Sequence, residues 1–109
     1  MSAPHVALST APNDKVAREI VRTLVNERVV ACGNIVPGIY SIYRWKGEVQ
    51  EDGEVLIVFK TTEAAWPRLR ERLTELHPYE NPELLLLPVS DGLYAYTQWL
   101  NESTEPVDE

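Results

Sequence analysis

Ionic chemistry of one sign is missing from the last third of this 109-residue chain: no lysine or arginine follows Arg72, whereas eight acids do. The first 72 residues carry ten bases and nine acids, a charge of +1, and the remainder carries -8, so the net charge of -7 arises in the C-terminal part. Without a basic stripe to track phosphates, a nucleic-acid partner is disfavoured. One cysteine, Cys32, excludes an internal disulfide framework. No apolar run approaches the length of about 20 residues that a membrane helix needs. The five glycines, at 33, 38, 47, 53 and 92, compose neither a phosphate-cradling loop nor a dinucleotide fingerprint. No serine stands in a nucleophile elbow, and Glu51 with Asp52 reads as a solvated face beside a turn, so no catalytic residue is expected.

What remains is an ordinary globular composition, 44% hydrophobic and 25% charged. Size scaling gives about 6,100 Å² of folded surface against about 18,000 Å² extended, enough burial for one domain with its own core. The start, Met1 to His5, has neither the charged leader nor the apolar segment of a signal peptide, and the expectation is a soluble, cytoplasmic protein.

Periodicity assigns the elements. Residues 5–11 alternate as a strand, Pro12 ends it, and Asn13 is placed to cap a helix over 14–27 whose apolar face is Val16, Ala17, Ile20, Val21, Leu24 and Val25. Residues 29–45 are rich in β-branched and aromatic side chains and predict one long strand, kinked where Gly33, Pro37 and Gly38 interrupt it. Lys46 and Gly47 form the turn. The return strand carries the apolar run Val55 to Phe59 within 54–60 and is expected to be central and buried on both faces. A helix over 64–76 presents Trp66, Leu69, Leu73 and Leu76, a short buried strand follows at Leu84–Leu87, and a last helix spans 92–101. The acidic tail 102–109 is expected to fray. This order matches the split βαβ pattern, an α+β domain with a four-stranded antiparallel sheet backed by helices.

Fully extended, 29–45 would reach about 56 Å, against about 34 Å for the width of a compact chain this long. The hairpin therefore projects or bends, and its Ile39, Tyr40, Ile42, Tyr43 and Trp45 predict an interface, a second copy being the expected partner. The other reading folds these side chains onto their own sheet.

The polar segment His77-Pro78-Tyr79-Glu80-Asn81-Pro82-Glu83 lies between a helix end and a strand. His77 with Glu80 and Glu83 offers nitrogen and oxygen donors for a metal; the competing reading is a histidine interacting with a helix dipole. Cys32 reads as a small buried hydrophobe, or as a soft ligand if its setting is positive or open. Lys60 can pair with a carboxylate, meet an anionic ligand or snorkel from an edge.

Taken together, Ala31, Cys32, Asn34 to Gly38, Ser41 to Tyr43, Trp45 to Gly47, Glu54 to Thr61, His77 to Tyr79, Pro82, Glu83, Leu87 to Val89, Tyr96, Trp99 and Leu100 resemble the CutA family over about residues 5–101. The resemblance implies a single domain over 1–109 with a ferredoxin-like fold and a homotrimer akin in architecture to PII signalling proteins. It also implies a role in tolerance to divalent metal ions, with copper or another divalent metal as the bound ion. Family members described as copper-binding use a cysteine in the first strand and two consecutive histidines; the matching positions here are Ser9, Leu76 and His77. A metal would thus rest on His77, with Cys32, Glu80, Glu83 or a neighbouring subunit completing the set. The alternative implied by the PII likeness is a signalling or scaffold module that holds a small anionic ligand between subunits, with Lys60, His77 and Tyr79 lining the cleft. The trimer interface is expected at Tyr40, Tyr43 and Trp45.

Overall fold

The computed structural model describes residues 1–106. Its elements are β1 (Pro4–Ala11), α1 (Asp14–Asn26), β2 (Cys32–Trp45), β3 (Glu48–Thr62), α2 (Trp66–Leu76), β4 (Leu85–Pro88) and α3 (Tyr94–Thr104). The strands form one antiparallel sheet in the order β2-β3-β1-β4, the split βαβ arrangement expected from the sequence. The long axis measures 45 Å, because β2 and β3 run past the end of β1.

Local chemistry sets the element ends. Asn13 is extended and its side-chain oxygen accepts the Val16 amide at 2.9 Å, satisfying a donor that the first turn of α1 leaves free. Pro67 sits in the first turn of α2, where no intrahelical N–H is lost. Lys46 and Gly47 both have positive φ, 50° and 81°, so the β2–β3 connection is a two-residue turn with the twist of a type I′ hairpin. Within β2 the pairing shifts between Val36 and Ile39, and the inserted Pro37 and Gly38 (φ 74°) form the kink that the sequence predicts.

Alternation along the strands divides the sheet into two unlike faces. Ala7 and Ala11 of β1 with Val55, Ile57 and Phe59 of β3 face α1 and α2, and there pack against Ala17, Ile20, Leu24, Leu69 and Leu73. The opposite face carries Val6, Leu8, Leu56, Val58, Val36, Leu85 and Leu87, none of them fully buried. At its far end α3 reaches this sheet at Thr62, whose hydroxyl lies 3.2 Å from that of Thr104.

Three expectations are corrected. β3 is central, yet only one of its faces is buried in the chain alone. The short strand is shifted to Leu85–Pro88 and lies at the sheet edge, with Leu85 57% and Leu87 45% exposed, because a terminal strand covered on one face cannot bury alternate residues. The last helix runs through Thr104, which is buried, so Glu102 to Thr104 do not fray; Arg68 donates to the Thr104 carbonyl at 2.8 Å and Arg28 to those of Glu102 and Glu105, placing cations at the helix C-terminus. The rest of the acidic tail, residues 107–109, lies outside the described residues.

Where α1 crosses β2, a Cβ added at Gly33 would stand 2.8 and 3.0 Å from the two methyls of Val21 and 3.3 Å from the Phe59 ring. Val21 is branched and stiff, so the helix itself must shift. Gly33→Ala is expected to cost about 1–3 kcal/mol, as overpacking does. Gly53→Ala, where a Cβ meets nothing within 4 Å, should stay within about 0.5 kcal/mol of the parent. Denaturant unfolding of both variants reads the difference.

Candidate functional site

Beyond Ala11, β1 stops while β3 continues, and the loop between α2 and β4 fills the vacant place beside Glu54. Between this loop and the outer half of the β2–β3 arm lies a cleft of about 730 Å³, lined by Thr10, Tyr40 to Trp45, Glu54, Tyr79, Glu80, Asn81 and Glu83.

His77 ends α2 and is buried at 7% exposure. Its Nε2 lies 2.7 Å from the Thr10 carbonyl, which can only accept, and its Nδ1 accepts the Tyr79 amide at 3.1 Å. The ring is therefore the Nε2–H tautomer, with no lone pair free in this arrangement. Its plane also stands against the Tyr79 ring, with centroids 4.7 Å apart. The hydroxyl of Ser9 donates to the Glu83 carbonyl at 2.7 Å, pinning the far end of the same loop to β1. Leu76 packs half-buried against the core.

Tyr79 donates its hydroxyl to Glu54 Oε2 at 2.6 Å, and on the arm Tyr43 donates to Asp52. The pairing register places Ile39, Tyr43, Trp45, Asp52 and Glu54 on one face of the arm. Burial first, then the hydrogen bond to the Glu54 carboxylate and its charge, push the Tyr79 phenol well above its ordinary value. For Tyr43 the hydrogen bond to Asp52 acts first, and the direction is again upward. Both phenols thus stay protonated donors across the physiological range.

The residues singled out from the sequence separate into two groups. His77 is buried at the base of the loop and does not line the cleft; Tyr79, Glu80 and Glu83 line it, as do Tyr40, Tyr43 and Trp45 of the arm, with exposures of 78, 42 and 37%. Cys32 and Lys60 do not. They pair with each other across β2 and β3, and Lys60 lies about 20 Å of extended strand from Glu54. Lys60 donates to the side chain of Asn34, and Cys32, a free thiol, has its sulfur 3.8 Å from the Tyr96 hydroxyl. Among the described residues, no three of the His, Cys, Asp and Glu side chains are close enough to hold one metal ion. The described donors of a single protomer therefore do not fit a divalent metal, and both nitrogens of His77 are engaged as well. Sequence reasoning missed Glu54 and Asp52 as partners of the two phenols; Glu54 stands 25 residues from Tyr79, and no local pattern joins them.

The profile of the family described as CutA1 divalent ion tolerance protein matches residues 5–103. The chain is 54% identical over 100 residues to the divalent-cation tolerance protein CutA of Thermus thermophilus, covering 92% of this chain and 97% of that protein. To the human protein CutA it is 46% identical over 103 residues, 94% of this chain but 58% of the relative. The solved structure of the divalent cation tolerance protein from Thermus thermophilus superposes with a TM-score of 0.91 at 52% identity, over 94% of this chain and 99% of that one.

A raised phenol pKa adds stability that is present below the ordinary tyrosine value and lost as pH climbs through the raised one. Stability of the parent protein should accordingly fall above about pH 10, and fall less steeply in Tyr79→Phe, which has no phenol to ionise. At pH 7 the same variant should lose about 1–2 kcal/mol with the Glu54 hydrogen bond. Urea midpoints at pH 7, 9, 10 and 11 check both statements.

Proposed function

The chain belongs to the CutA1 divalent ion tolerance family, and from that premise we propose that it acts in the response to divalent metal ions as a homotrimer, binding copper or another divalent cation weakly. The observation that carries the assembly is the sheet face turned away from α1 and α2, on which Val36, Leu85 and Leu87 are exposed and Val6, Leu8, Leu56 and Val58 half-buried. A continuous apolar face of this kind is covered by another molecule in a stable soluble protein. The projecting arm of one copy, reaching the open β4 edge of the next, makes a head-to-tail contact that closes into a ring. Pairing along β4 also satisfies backbone groups that an edge strand leaves in water.

Metal binding in this reading is weak because the available donors are hard or engaged. Glu80 and Glu83 supply exposed carboxylate oxygens, and His77 contributes only by releasing the Tyr79 amide from Nδ1. The thiol lies elsewhere in the protomer, so soft Cu(I) has little to hold it. Further donors must come from a neighbouring copy. A free thiol suits a reducing compartment, which supports placement in the cytoplasm. The anion-binding alternative is the weaker one, since Lys60 is far from Tyr79 along β3 and the cleft is lined by Glu54, Glu80 and Glu83. The names of the relatives describe tolerance rather than a catalysed reaction.

Native mass spectrometry with limiting Cu(II) or Zn(II) tests both halves at once. The expected spectrum is a trimer with an integral number of ions, reduced in His77→Ala. A monomer overturns the assembly, and a trimer that stays apo overturns the metal reading. Val58→Asp, on the open face, should shift the mass to the monomer while the circular dichroism stays that of a folded chain.

A further inference from the structure

We propose that the groove between α1 and the outer edge of β2 binds a small amphiphilic carboxylate, a flat anionic head on a short aliphatic body. The inference goes beyond metal tolerance and does not rest on it. This groove lies on the helix-covered face of the sheet, and no residue of the arm lines it.

The groove has a volume of about 300 Å³ and is lined by Arg18, Val21, Arg22, Val25 and Asn26 of α1 and by Ile35 of β2. That volume is at the lower end of small-molecule sites. Its origin lies in the packing of α1. The helix comes closest to β2 at Gly33, where the Val21 methyls occupy the place a Cβ would take. Ile35 stands two residues on and on the same face, and β2 is the last strand of the sheet, so no further strand closes the outer side. Val21 and Ile35 are left half-buried and Val25 exposed, an aliphatic floor with one open wall.

The helix side of the groove also carries Arg18 and Arg22. They are one turn apart, which puts their Cβ atoms about 5–6 Å from each other. Both are exposed, and among the described residues neither makes a side-chain hydrogen bond or an ion pair: the ion pairs belong to Arg72, and Asp14 and Glu19 of the same helix engage neither arginine. Two unpaired guanidinium forks beside each other offer charge-assisted, bidentate hydrogen bonds to an external oxyanion. The Asn26 amide adds a donor at the end of the groove.

Two features select a carboxylate on an aliphatic body. The floor is built of valine and isoleucine, so a bare oxyanion would leave it in water, whereas a short hydrocarbon chain covers it. The groove also follows α1 from its second turn to its last residue, away from the N-terminal amides that hold phosphates and toward the end whose dipole is negative. A multiply charged phosphate is disfavoured there, and a singly charged planar head matches the guanidinium fork.

The test is isothermal titration of the whole protein with sodium hexanoate, beside butyrate, 1-hexanol and inorganic phosphate at equal ionic strength. Saturable uptake of hexanoate is expected, with affinity falling about threefold for each methylene removed. The Kd should be about tenfold weaker in Arg18→Gln and in Arg22→Gln. Both arginines are exposed and unbonded, so these variants keep the fold. Val25→Ser, at the exposed part of the floor, should flatten the dependence on chain length. Arg70→Gln, an exposed arginine of α2 outside the groove, should leave binding unchanged. Absence of saturable hexanoate uptake, the result if the arginine stems themselves cover the floor, overturns the proposal. Equal or stronger uptake of hexanol or phosphate, or a loss in Arg70→Gln as large as in the groove variants, overturns it as well. Metal uptake in the native spectra is a separate readout, so either result stands without the other.

Discussion

The mismatch in length between β1 and β3 is the constraint on which the rest of the molecule depends. β3 is 15 residues long, and β1, with eight, pairs only with Val55 to Thr62. From Glu48 to Glu54 the strand has β2 as its one neighbour, and no helix lies over that part. A two-stranded ribbon is marginal by itself, so it needs help from outside the sheet. Part of that help is internal: the I′ turn matches the ribbon's twist, and Tyr79 ties its base to the loop after α2. The remainder, the exposed Tyr40, Ile42 and Trp45, is surface left for a partner.

A second mismatch, between β1 and the short β4, explains how the loop is held. Because β4 pairs with β1 only as far as Leu8, the carbonyl of Thr10 is open to a side chain, and His77 takes it. Once that bond and the Tyr79 amide are made, the imidazole is a fastener between α2, β1 and the loop rather than a waiting ligand. Ser9 serves the same purpose by holding the Glu83 carbonyl. Ser9 and His77 are thus spent on hydrogen bonds that hold the loop, while Leu76 packs against the core.

Charge and shape act together there. Glu80 and Glu83 of the loop line the cleft with Glu54 of the arm, while Arg72 of α2 pairs with Glu27 and Glu75 and Arg68 reaches the end of α3.

Local pattern by itself determined the helices, the strand order along the chain, the Asn13 cap, the Lys46-Gly47 turn and the bulge at Pro37-Gly38, because each depends on backbone preferences and periodicity within a few residues. It also marked the aromatic arm and the polar loop as the places to look. Periodicity could not tell that the run Val55 to Phe59 has one covered face, since an apolar residue reads alike whether its cover is a helix of the same chain or another molecule. Nor could it find that α3 continues to Thr104, where the helix end is held by Arg28 and Arg68 from distant segments. Only the tertiary structure decided which groups His77 and Tyr79 would meet, because Thr10 and Glu54 lie 67 and 25 residues away in sequence and are brought near only when α2 and the loop after it pack against the sheet.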